Sequence, residues 1–341
     1  MARYKIIFFS LIVLVCYKIQ AQTYPDAKVD SLLKSGIKNI VNQNYNSAEK
    51  IFTVLDKEYS HLPLGKIYLA ANRIAEAYDY AQDFDENYIL SNLETAKQQS
   101  ENLIDSDNNN IWYRYFYSLT EGYISYYDAL KGSWFSALSK GINSISGFED
   151  ILNEDKNFYE AYIAIGTFEY WKSRKMEFMS WLPFSDDTKN FGIDLLTIAV
   201  DSSSYNSHLA VNSLIWIYID QKKYNEAISL AAKALKEFPE SRNFKWGLAR
   251  AYEDKNPVRA IELYLEILDS YPQSLKNNYK NKITLKHLIA QQYAKLGNKK
   301  QALNYCNEIL SLKNIPEKTL DEISGRLDRV KSLKNELSKE N

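Results

Sequence analysis

The residue types that most often carry chemistry are thinly spread in this chain. His61, His208 and His287 are the three histidines, and none has a second ligand at metal-binding spacing. The carboxylate clusters Asp83-Asp85-Glu86 and Glu149-Asp150 fall where turns or helix ends are expected, so solvation accounts for them. No glycine-rich phosphate loop and no GxSxG nucleophile elbow is present. The chain is therefore expected to be non-enzymatic, with no metal and no cofactor. What stands out instead is chemistry suited to binding. There are 27 tyrosines, and Tyr113, Tyr115, Tyr117, Tyr123, Tyr126 and Tyr127 crowd one segment. Tyrosine offers an apolar body with a polar tip, so Tyr113, Tyr117, Tyr123 and Tyr126 are candidate partner-binding residues. A second candidate is the stretch 172–187, basic at its start, apolar in its middle and acidic at its end. Its Met176, Phe178, Met179, Trp181, Leu182 and Phe184 suit either a partner or a membrane surface. The same side chains could instead fold back and plug the space between two helical hairpins, with Asp186 or Asp187 capping the next helix.

The elements that would position these residues are helical. The 341 residues are 45% hydrophobic and 25% charged, the composition of an ordered chain, and 11 glycines and 7 prolines leave few turns. At the N-terminus Arg3 and Lys5 precede an apolar run from Ile6 to Tyr17, with Gln20-Ala21-Gln22 beyond it. As a helix that run would be roughly 18 Å long, short of the ~30 Å hydrocarbon core. Residues 1–21 thus read as a secretory signal peptide cleaved after Ala21. Cys16 lies inside the apolar run behind the bulky Val15, so lipidation is not expected. Cleavage leaves Cys306 alone, so packing rather than a disulfide must stabilise the fold.

A repeat is legible from residue 208 onward. Leu214, Ile215 and Tyr218 mark one face of a first helix; Ala227, Ala231 and Ala234 form a smooth stripe on a second; Pro239 ends the unit. The next unit has Leu248, Ala249 and Tyr252, then Ala260, Tyr264, Ile267 and Pro272. A third has Ile289, Ala290, Tyr293 and Gly297, then Ala302, Cys306 and Ile309, which makes Cys306 a buried core residue. Near the mature N-terminus Gly36 precedes Tyr45, Ala48, Phe52 and Leu55. This 34-residue pattern resembles the tetratricopeptide repeat (TPR) family, an exported bacterial-type member. The resemblance implies helical hairpins and binding of other proteins. Ile215 stands where the family uses a small residue, which predicts a first helix sitting slightly farther out. One further unit, with Gly166, Leu182-Pro183, Gly192-Ile193, Leu195-Leu196 and Ala199, resembles a TPR branch linked in eukaryotes to the mitochondrial outer membrane and inclusion clearance. The export signal argues against the same cellular role.

The expected fold is all-α: a right-handed superhelical solenoid of about seven hairpins and a C-terminal capping helix with Leu320, Ile323, Leu327, Val330 and Leu337 as its apolar seam. The organisation reads as a signal peptide (1–21), divergent hairpins (22–205) interrupted at 172–187, regular repeats (206–315) and a cap (316–341). Charge is divided along the chain. Residues 23–170 hold 12 Lys/Arg and 22 Asp/Glu, a balance of −10; residues 220–341 hold 23 and 16, a balance of +7. Two surfaces of different preference, head-to-tail self-association, or chance drift of solvated faces would each produce this. The functional expectation is an exported scaffold or adaptor, periplasmic or outer-membrane associated in a Gram-negative bacterium, holding a protein or peptide on its concave face and no nucleic acid. The alternatives are a membrane-associated assembly factor using 172–187 and a periplasmic enzyme on a helical toroid.

Overall fold

The computed structural model describes residues 22–176, 187–272, 275 and 278–339. The segment read as a signal peptide lies outside them. The described residues form fifteen α-helices, taken in antiparallel pairs: α1 (Ala27–Val41) with α2 (Tyr45–Glu58), α3 (Leu64–Asp79) with α4 (Glu86–Ser106), α5 (Ile111–Leu130) with α6 (Trp134–Glu154), and α7 (Tyr159–Met176) with α8 (Lys189–Ser202). The C-terminal pairs are α9 (Ser207–Asp220) with α10 (Tyr224–Glu237), α11 (Arg242–Tyr252) with α12 (Pro257–Ser270), and α13 (Tyr279–Lys295) with α14 (Lys299–Leu310); α15 (Glu317–Lys339) closes the stack. Each pair packs on the next, which is the solenoid expected from the repeat. Ile323, Val330 and Leu337 are the buried seam of α15.

Helix ends are set locally. Asp26, Asp85, Asn110, Asn256 and Asn298 cap α1, α4, α5, α12 and α14 by accepting from first-turn backbone N–H groups. The first helix of five pairs ends on one device. Gln43, Ala81, Gly132, Lys222 and Gly297 have positive φ, and the next residue's N–H bonds back to the final helical turn. Asn44, Gln82, Ser133, Lys223 and Asn298 are those donors. Glycine makes this left-handed conformation easy at two of the five positions; at Gln43, Ala81 and Lys222 the packing of the hairpin imposes it.

Small residues decide how closely helices approach. Gly166 on α7 and Gly192 on α8 face each other so tightly that a Cβ on Gly166 would lie 2.7 Å from the Gly192 carbonyl oxygen, and one on Gly192 2.6 Å from that of Gly166. The stripe Ala227, Ala231, Ala234 is buried on α10. Ile215, standing where the repeat pattern uses a small residue, is accommodated by its neighbour in the next repeat. It is fully buried, and its Cγ2 occupies the space over Gly247 of α11, 2.6 Å from where a Cβ would be. The bulk added in one repeat is removed from the next.

The N-terminal and C-terminal pairs also meet across the inside of the coil. Arg242, at the start of α11, donates from Nε to both carboxylate oxygens of Asp79, at the end of α3, at 2.9 and 3.0 Å. Their side chains are 7% and 4% exposed. The Tyr45 hydroxyl donates to the same carboxylate at 3.1 Å, and the guanidinium sits beside the Tyr80 and Tyr271 rings, 5.6 and 4.9 Å from their centroids. Gln43 Oε1 accepts from the Arg242 backbone N–H at 2.8 Å, and Asn281 Nδ2 donates to the Asp79 carbonyl at 2.7 Å. Lys318 of α15 pairs with Asp83 at 2.6 Å on the surface. Part of the charge division in the sequence is thereby neutralised within one molecule.

Asp79→Leu or Arg242→Leu alone strands a buried charge and is expected to cost about 3–5 kcal/mol, whereas the double substitution recovers most of that loss. Urea unfolding of the three variants measures both; equal losses in single and double variants would mean the pair does not act as a unit. Gly166→Ala should destabilise by at least about 1–3 kcal/mol through overpacking. Gly325→Ala on α15, whose added Cβ would meet nothing nearer than 3.9 Å, should stabilise by a few tenths to about 1 kcal/mol in the same assay.

Candidate binding surface on the inner face

The odd-numbered helices line the inside, because residues far apart in sequence meet on them. Beyond Arg242 and Asp79, the Tyr205 hydroxyl just before α9 donates to Asp30 of α1 at 2.7 Å and accepts from the Tyr24 N–H at 2.7 Å. Tyr24 then stands edge-on to Trp112 of α5, centroids 5.5 Å apart. Next to this contact lies a buried polar cluster. Glu160 of α7 accepts from the Tyr205 N–H at 2.7 Å and from Asn206 Nδ2 at 2.8 Å. Asn206 Nδ2 also lies 3.4 Å from the hydroxyls of both Tyr68 and Tyr115. Burial pushes the Glu160 carboxyl up, and the Tyr205 and Asn206 donors oppose that. The carboxylate is spent on holding the α8–α9 turn, so the cluster is structural.

The cluster grades into accessible tyrosines. Tyr123 has its phenol pKa raised by burial and by Tyr126 and Glu160. Tyr126 is half exposed, yet surrounding protein and then Tyr78 push its pKa up to about 12. Tyr78 of α3, also exposed, completes the strip.

Tyr113 and Tyr117 are not part of it. Tyr117 lies on the other side of α5, its ring 5.5 Å from Lys97 Nζ of α4, and Tyr113 packs half-buried against the core beside Phe116. The structure therefore divides the tyrosines that the sequence presents as one group. Phe178, Trp181 and Phe184 lie outside the described residues, as does the side chain of Met176. Among the repeat positions, Gly36, Ala48, Gly192, Ala227, Ala260 and Ala302 are buried, and Gly36 lies directly against the Phe52 ring. Tyr218, Tyr252 and Tyr293 are half-buried, and Pro239 and Pro272 are exposed just beyond α10 and α12.

One surface was missed in the sequence. Phe135, Leu138 and Ile142 line an exposed stripe on α6, with Phe135 93% exposed, and Trp134 at its edge stacks under Lys175 Nζ at 4.7 Å. The available signal was an uncharged outer helical face, visible only once the inner face of α6 is assigned. No described helix is long and apolar enough to cross a membrane. Among the described residues no group of three His, Cys, Asp or Glu side chains is placed to hold a metal. Burial raises the Cys306 thiol pKa, keeping it protonated and inert.

Stacked antiparallel helix pairs with an inward-facing odd-numbered set define an α-helical repeat solenoid. Residues 213–274 match the tetratricopeptide repeat family. That segment, α9 to α12, is a tetratricopeptide-repeat region. No curated protein matches it. Among solved structures, a monomeric IFIT1 mutant with Gppp-AAAA is similar at TM-score 0.48 and 14% identity over 85% of this chain. The chain spans 61% of that protein's length. A tetratricopeptide repeat protein from Parabacteroides merdae aligns over 89% of this chain and 99% of its own, at TM-score 0.38 and 12% identity. The C-terminal part of a TPR repeat-containing protein from Cytophaga hutchinsonii aligns over 85% and 98%, at 0.41 and 17%.

His287 of α13 is 1% exposed, and burial followed by Arg326 and Arg329 holds its pKa down to about 4. A histidine with its folded pKa below its unfolded value binds fewer protons when folded between the two. Its contribution to stability is complete above pH 6.5 and is lost as pH falls from there toward 4. The expected slope is up to about 1.4 kcal/mol per pH unit in that window. Urea midpoints measured from pH 7 to 4 should fall more steeply for the wild type than for His287→Gln; parallel curves would refute the assignment.

Proposed function

We propose that the protein is a non-enzymatic scaffold, working outside the cytoplasm, that holds an extended segment of another protein against its inner face. The observation that carries this reading is the accessible strip Tyr78, Tyr123 and Tyr126 beside a buried, cross-braced wall. Rigid aromatic side chains on a preorganised surface bind with little loss of conformational entropy. Helical-repeat architecture supports it, since stacked repeats offer long concave surfaces. The N-terminal charge and apolar run of residues 1–21 support export.

Photo-crosslinking in intact cells tests the reading. Benzoylphenylalanine in place of Tyr126 should give one or a few discrete adducts, and the same group at Lys233 on the outer helix α10 should give none. Identical patterns at the two positions would sink the inner-face assignment. Mass spectrometry of protein purified from the host envelope should find a mature N-terminus at Gln22; a retained Met1 in a cytoplasmic fraction would remove the export claim.

The exposed stripe Phe135, Leu138 and Ile142 favours a second reading, contact with a membrane through the outer face of α6. Equal flotation of wild type and a Phe135→Ser, Leu138→Ser variant with liposomes would rule it out.

A further inference from the structure

The outer face of α6 is unlike that of α12. On α12 the outer face carries Arg259, Glu262 and Glu266, which pair with one another. Between Gly132 and Phe148 the only charged residue is Lys140, and Asp128 neutralises it at 3.0 Å. Trp134, Phe135, Leu138 and Ile142 are each more than half exposed. Phe135, Leu138 and Ile142 lie three and four residues apart, so they form one continuous stripe. The opposite face of α6 is already used within the coil, where Ala137, Ser144, Ile145, Phe148 and Ile151 are buried.

Charge returns at the two ends of the stripe, with opposite sign. At its N-terminal end Lys175 of α7 is exposed, and its Nζ stands 4.7 Å from the Trp134 ring centroid. At its C-terminal end Glu149 and Asp150 of α6 are exposed. None of the three has an ion pair among the described residues. The two ends cannot meet within one chain, because the helix from Trp134 to Glu149 spans about 23 Å. An apolar centre with a cation at one end and carboxylates at the other is complementary to itself when turned by half a revolution. The midpoint between Trp134 and Asp150 is Ile142, within the apolar stripe. Ser139 and Ser146, exposed on either side of it, leave room for the large side chains of a facing helix.

We propose that α6 pairs with α6 of a second copy of this chain, antiparallel about a two-fold axis passing near Ile142. The two stripes then cover each other, with Phe135 and Leu138 of one helix packing beside Ser146 of the other. Lys175 of each copy faces Glu149 and Asp150 of the other, so the two-fold makes this contact twice. The stripe is smaller than a standard interface of about 800 Å² per partner, so the association is expected in the micromolar range. The pairing does not depend on the inner-face reading and leaves that face open. It gives the stripe to a protein surface instead of a membrane.

Sedimentation velocity of the full mature chain tests it from about 1 to about 500 µM, in ~50 mM salt where surface charges are little screened. The wild type should pass from monomer to dimer over that range. A Phe135→Ser, Leu138→Ser variant should raise the dissociation constant at least about tenfold. Lys175→Glu, and separately Glu149→Lys with Asp150→Lys, should each weaken association about fivefold or more, because both symmetric contacts become repulsive. Mixing those two variants in equal amounts should restore association, since every contact in the mixed pair joins opposite charges. All five positions are exposed, so the substitutions leave the core untouched. A wild type that stays monomeric throughout would overturn the proposal, and flotation of that monomer with liposomes would give the stripe to a membrane. Dimers indifferent to Phe135 and Leu138, or a mixture that associates no more tightly than its separate components, would overturn it as well.

Discussion

The buried ion pair between Arg242 and Asp79 is the contact on which the shape of this molecule turns. A solenoid is ordinarily a one-dimensional object in which each repeat touches only its neighbours. Here a guanidinium from α11 and a carboxylate from α3, 163 residues apart, are withdrawn from water together. Such a pair stabilises only where its remaining lone pairs and protons find partners; Tyr45 donates to the carboxylate and the Ser270 carbonyl accepts from Arg242 Nη1, while Gln43 and Asn281 hold the main chain of the two residues. The result is a coil whose ends are braced, so the inner face is presented in one geometry rather than over the range an open array would sample.

Bracing has a consequence for binding. Inner surface near Tyr205, Trp112 and Tyr68 is occupied by the chain's own side chains. What stays accessible is the strip reaching Tyr126 and Tyr78.

The close helix pairs obey a different rule from the brace. α7 and α8 approach until only glycine fits at the Gly166–Gly192 contact. Ile215 and Gly247 show the same constraint shared between neighbouring repeats, where volume is conserved across the contact rather than at each position. This explains how a repeat can carry a large side chain at Ile215, since Gly247 leaves the space for it.

Helix positions, the alanine stripes of the second helices and the capping helix were legible in the sequence, because each depends on side chains three or four residues apart. The tyrosines of α5 were visible as a group, but which face each occupies was not. Tyr117 and Tyr126 are nine residues apart on one helix and point to opposite sides, toward Lys97 and toward the interior. The charge division was countable; its resolution was not, since Asp79 meets Arg242 only after three intervening helix pairs have set the pitch of the coil. Local periodicity is written into the chain residue by residue. The brace and the divided tyrosines arise from small rotations summed over successive repeats, and only the folded coil carries that sum.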